Sequence, residues 1–143
     1  MQAADGQFSS LGRLVAFSDG VFAFASTLLV VVFPFQAPPS GSETIWMQLL
    51  ALKGSFIVYL VSFYSIGAFL LAHHRYYRYI VKFNTGLFFL NLAVLLFIAV
   101  LPFPTYLLAV DHFRPDVAAF YAGLLSLVHL LYLLLWWYAS AGH

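Results

Sequence analysis

Cysteine is absent from the 143 residues, which excludes disulfides, thiolate metal centres and cysteine nucleophiles. Charge is scarce as well. Only 8% of residues are Asp, Glu, Lys or Arg, against about 25% in ordinary soluble domains. With 64% hydrophobic residues, too little polar surface exists to clothe a globule in water, so a soluble fold is excluded. Six Lys/Arg against five Asp/Glu leave a formal charge of +1, which gives no electrostatic footing for nucleic acid. A Gly-rich phosphate loop and an in-register nucleophile–base arrangement are also missing, so enzymatic chemistry has no foothold.

What the chain has in quantity is long apolar runs, at about 14–33, 54–72, 83–101 and 117–138. At about 1.5 Å per residue each run matches the roughly 30 Å hydrocarbon core of a bilayer. The runs are continuous rather than alternating, which argues for helices and against barrel strands. The sequence therefore predicts an all-α, polytopic membrane helix bundle: one domain, four transmembrane helices, embedded in lipid. Pro34 and the stretch Ala37-Pro38-Pro39-Ser40-Gly41-Ser42 end the first span. Trp46 to Lys53 reads as an interfacial lead-in, with Trp46 as an aromatic anchor and Lys53 snorkelling outward. Pro102 and Pro104 close the third span, and Arg114-Pro115-Asp116 opens the fourth with Asp116 as N-cap. The first span follows Arg13 as a secretory signal would, but it is too long, holds Asp19 and lacks a small-x-small cleavage site.

Charge sets the expected topology. The loop after the second span carries Arg75, Arg78 and Lys82 without an acid, whereas the loop after the first holds Glu43 and no base. The positive-inside rule then puts both termini and the 75–82 loop in the cytoplasm of a multi-pass cell-membrane protein. Tyr76, Tyr77, Tyr79, Trp136, Trp137 and Tyr138 fit an aromatic belt on that side.

The first span is the informative one. Asp19 sits inside it, where a carboxylate costs about 3 kcal/mol or more and must face protein or water. It is either part of an ion pathway or a structural acid satisfied by Ser18, Arg13 or a histidine of another helix. At about 100° per residue, Phe24, Thr27, Leu28 and Val31 form one stripe, with Asp19 and Ser26 nearly opposite. The stripe is either a conduit, gating by dewetting with the threonine hydroxyl replacing part of an ion's hydration shell, or a plain packing face. Adjacent His73 and His74 point about 100° apart and cannot share one metal from a regular helix, so no metal or heme site is expected. His129, mid-span, reads as a neutral histidine bonded to a neighbouring helix, and Asn91 as hydrogen-bonded across helices.

The run Arg13-Leu-Val-Ala-Phe17-Ser18-Asp19-Gly20-Val21, followed by Thr27-Leu28-Leu29, resembles the first-helix signature of the transmembrane protein 175 family of cation channels. The likeness continues in His73-His74-Arg75, Leu90-Asn91-Leu92 and the stretch from Phe97 to Thr105. The resemblance implies a potassium-permeable homotetramer with a pore lined by the first helix and no carbonyl-lined Thr-Val-Gly-Tyr-Gly filter. It implies a constriction at Phe24, Leu28 and Val31, with Thr27 as its polar position. It further implies that Arg13, Phe17, Ser18 and Asp19, with His73, His74 and Asn91, hold the pore helix to its neighbours. No cofactor is implied beyond potassium as permeant ion.

Two departures stand out: the constriction position is usually aliphatic and is here Phe24, and a tryptophan often found before the paired histidines is Leu70. The chain also holds four spans where the family has six. The expected function is a passive potassium channel of modest selectivity. The alternative is a non-conducting membrane subunit or scaffold that packs with a partner.

Overall fold

A computed structural model describes residues 2–34, 44–80, 84–111 and 114–141, and among these no strand occurs. The expected 37–42 loop, Glu43 and Lys82 lie outside the described residues. Six helices follow in order: α1 (Gln2–Val31), α2 (Ile45–Ala51), α3 (Lys53–Tyr77), α4 (Thr85–Val100), α5 (Pro102–Val110) and α6 (Pro115–Ser140). Among the described residues four segments are long and apolar enough to cross a membrane: Leu11–Val31, Lys53–Tyr77, Thr85–Val110 and Pro115–Ser140. The third of these is α4 and α5 end to end.

That continuation corrects the expected stop at Pro102 and Pro104. At Leu101 the hydrogen bonding tightens, its N–H donating to the Ile98 carbonyl at 3.2 Å, and α5 restarts with Pro102 in its first turn. A first-turn proline has no intrahelical donor to lose and its φ already suits a helix, so the proline pair interrupts the crossing at one residue without ending it. The expected N-cap of the fourth crossing also moves. Arg114 is the N-cap and Pro115 opens α6, which shifts Asp116 into the first turn. There its carboxylate faces the positive end of the helix dipole and accepts from Arg114 Nη2 at 2.6 Å.

The lead-in before the second crossing is itself helical, as α2. Helix α3 runs on to Tyr77 and takes His74 and Arg75 into its last turn, where cationic groups oppose the negative end of the dipole. Asn84 caps α4, its side-chain oxygen accepting from the Leu87 N–H at 2.8 Å.

Helix α1 packs on α3, α4 and α5, while α4 packs on α6 and α3 on α5. Phe22, Leu29, Ile66, Val94, Ile98, Val128 and Leu135 are buried in one continuous core. In a bilayer such a core holds by close packing, because lipid tails are as apolar as leucine. The buried stripe of α1 is Leu14, Ser18, Phe22, Ala25 and Leu29, the three- and four-residue spacing of one helix face. Small Ser18 and Ala25 within it allow neighbouring backbones to approach closely.

Candidate functional site on the first helix

Turning away from that stripe by about 130° at 100° per residue, α1 presents a second apolar face that the described residues leave uncovered. Phe24 is 63% and Val31 75% exposed, Thr27 is exposed, and Leu28 is half-buried at the edge. The Thr27 hydroxyl donates to the Phe24 carbonyl at 2.8 Å. Its proton is thereby turned inward along the helix, and the oxygen lone pairs are left facing out, the polarity a cation requires. The four stripe residues thus share one face, as their spacing requires.

Of the residues expected to dock α1, the structure brings five into or beside one polar seam. Asn91 Nδ2 of α4 donates to Ser18 Oγ at 3.1 Å, and Ser18 Oγ donates to the Leu14 carbonyl at 2.9 Å. Both side chains are fully buried. One residue further along α1, Asp19 Oδ1 meets His74 Nε2 of α3 at 2.7 Å, with both side chains nearly half exposed. A histidine of another helix is therefore the partner of this intramembrane acid. The preceding His73 points elsewhere, buried against the rings of Phe22 (centroids 5.6 Å apart) and Tyr77 (4.4 Å). One of the two histidines pairs with the acid and the other packs in the core. Among the described residues no cluster of three His, Asp or Glu is placed to hold a metal.

Arg13 and Phe17 are not drawn into this seam by the chain itself. Both are exposed, and they stand on the side of α1 that carries Phe24, because seven and eleven residues are close to two and three full turns. His129 also departs from expectation. Its Nδ1 donates to the Leu125 carbonyl of its own helix at 2.8 Å, and its ring meets Phe69 of α3 edge-on at 4.8 Å. Helix-interior geometry places the i−4 carbonyl within reach before any neighbouring helix.

A second buried polar cluster was not legible in the sequence. Thr105 Oγ1 of α5 lies 2.9 Å from Ser62 Oγ of α3, which lies 2.9 Å from the Tyr121 hydroxyl of α6. Thr105 also reaches the Leu101 carbonyl at 2.8 Å. Three lone hydroxyls, each in an apolar run, thus join three helices. The only signal available to sequence reasoning is that a buried hydroxyl in a membrane needs some partner. The aromatic belt residues meet across helices too: Tyr76 of α3 and Tyr79 just past its end pack on Trp136 of α6 at 5.4 and 6.2 Å.

Apolar helices of membrane length, joined by buried polar ties and with the first helix bare along one face, define a polytopic helical membrane bundle. A family model described as the endosomal/lysosomal potassium channel TMEM175 matches residues 13–102. A potassium channel of Streptomyces collinus is 39% identical over 140 residues, 92% of this chain and 66% of that protein. A potassium channel of Chamaesiphon minutus is 36% identical, over 94% of this chain and 68% of its own length. The crystal structure of a lysosomal potassium-selective channel TMEM175 homolog from Chamaesiphon minutus matches with a TM-score of 0.82 and 36% identity, covering 92% of this chain and 72% of that one. The chain spans about two thirds of the length of the curated relatives it matches. It belongs to the TMEM175 family of potassium channels, a family of ion channels and not of enzymes.

Proposed function

We propose that this chain forms a passive, potassium-permeable pore in the cell membrane, built as a homotetramer around α1, with Phe24, Leu28 and Val31 as its constriction and Thr27 as its polar ring. The observation that carries this reading is the bare face of α1: an apolar stripe with one hydroxyl, that of Thr27, on a helix whose other side is packed against α3, α4 and α5. Four such faces around an axis make a narrow, weakly wetted conduit. Ions pass it by shedding part of their water against the Thr27 oxygens, and it closes by dewetting. The Phe24 ring, the bulkiest group on the stripe, is the gate.

The seam behind the pore helix holds its angle. Ser18–Asn91 ties α1 to α4, and Asp19–His74 ties it to α3. Arg13 and Phe17, exposed on the pore side of α1, meet the neighbouring subunit near the cytoplasmic mouth. Arg75 and Arg78 at one end of the bundle support cytoplasmic termini.

Flux from proteoliposomes under opposed potassium and sodium gradients tests the reading, with Phe24→Ala beside the parent chain. Potassium-biased flux that rises, or loses its ion preference, in Phe24→Ala is the expected result. Unchanged conductance and preference in the variant would remove the gate assignment. A confirmed absence of both flux and tetramer would favour the non-conducting subunit instead.

A further inference from the structure

We infer that the groove between α2 and the start of α3 is a binding site for the acyl chain of an anionic phospholipid whose phosphate pairs with Lys53. The groove, about 540 Å³, lies at the end of the bundle opposite Arg75 and Arg78. Its size is that of a ligand cleft, and apolar side chains line nearly all of it. Phe33, Phe56 and Tyr59 form an aromatic floor, with Tyr59 stacked on Phe56 and edge-on to Phe33, both at 6.1 Å. Val30 at the end of α1 and Leu49 of α2 also line it.

Two further observations identify the occupant as lipid. Helix α2 touches α3 only lightly, and it exposes Ile45, Trp46, Met47, Leu49 and Leu50. A short helix that exposes five large apolar side chains is suited to the headgroup boundary of a bilayer. Lys53 then stands at the mouth of an otherwise apolar groove, exposed and without an ion pair to any described residue. An exposed ammonium beside an apolar slot, at the end of a membrane-length helix, is complementary to an amphiphile with an anionic head. The inference is independent of whether the chain conducts.

The test uses the full chain in vesicles containing either phosphatidylglycerol or phosphatidylcholine bearing a diazirine on one acyl chain. After irradiation, label is mapped by mass spectrometry at Leu49 and Phe56 and compared with Leu130, an exposed position on α6. Label at Leu49 and Phe56 is expected to exceed that at Leu130. It is also expected to be about fivefold greater from phosphatidylglycerol, the attraction one lysine exerts near an anionic surface. Lys53→Gln should abolish that preference, and Leu49→Trp should suppress label at Phe56 from both lipids while helicity by circular dichroism is unchanged. Equal labelling by the two lipids, a preference that survives in Lys53→Gln, or label no greater than at Leu130 because protein fills the groove would each overturn the proposal.

Discussion

Replacing Gly86 by alanine separates helix propensity from tertiary packing by the sign of the stability change. Gly86 lies in the first turn of α4, where alanine by itself gains up to about 1 kcal/mol over glycine. A Cβ there overlaps the Tyr138 hydroxyl and stands 2.8 Å from Tyr138 Cζ, so the ring of α6 must move. Moving it stretches the 3.2 Å bond from Asn84 Nδ2 to the Tyr138 hydroxyl, worth about 0.6 kcal/mol between membrane helices. Overpacking adds about 1–3 kcal/mol. The sum outweighs the propensity gain, and Gly86→Ala is expected to destabilise by about 1–3 kcal/mol on these terms. Thermal unfolding in detergent, followed by far-ultraviolet circular dichroism, measures it. In a Tyr138→Ala background the same substitution should be neutral or stabilising. A Gly86→Ala protein that is more stable than the parent would refute the α4–α6 contact as described.

Ser62→Ala deprives the buried Tyr121 hydroxyl of its partner while Thr105 keeps the Leu101 carbonyl. It should cost about 1–3 kcal/mol, largely recovered in Ser62→Ala/Tyr121→Phe, as a double-mutant cycle by thermal unfolding would show. Asp19→Asn keeps the shape of the side chain and a hydrogen-bonding oxygen toward His74, so helicity by circular dichroism and the detergent melting profile should stay close to those of the parent. A large loss of flux in a well-folded Asp19→Asn protein would then report on the pore and not on folding. Phe22→Ala, in the core, should destabilise well beyond Phe24→Ala on the bare face, because only Phe22 leaves a cavity among protein atoms. Comparable losses in the two variants would mean that Phe24 is covered.

Much of this architecture was legible because bilayer physics acts on composition and run length. Apolar stretches of about 20 residues leave helix as the economical way to bury the backbone. Helical spacing likewise placed Phe24, Thr27, Leu28 and Val31 together without knowledge of any neighbour. The prolines misled because a proline breaks a helix only in its interior, and Pro102 lies in a first turn. The partners of polar groups could not be read in advance: His74 finding Asp19 across 55 positions, or Thr105, Ser62 and Tyr121 meeting, depends on how the helices rotate against one another. Arg13 and Phe17 illustrate the same limit from the other side, since a family motif names them while their exposed face looks away from the chain's own core.

The chain has no native cysteine, so single cysteines along α1 allow a direct test of which face meets the ion path. A membrane-impermeant, positively charged thiol reagent would be added to proteoliposomes during potassium flux. Flux should fall on modification of Phe24→Cys, Thr27→Cys and Val31→Cys, and should be insensitive in Ala25→Cys and Leu29→Cys, whose side chains are buried against α3, α4 and α5. Block confined to the second pair, or no block at any of the first three in an actively conducting protein, would contradict the assignment of this face to the pore.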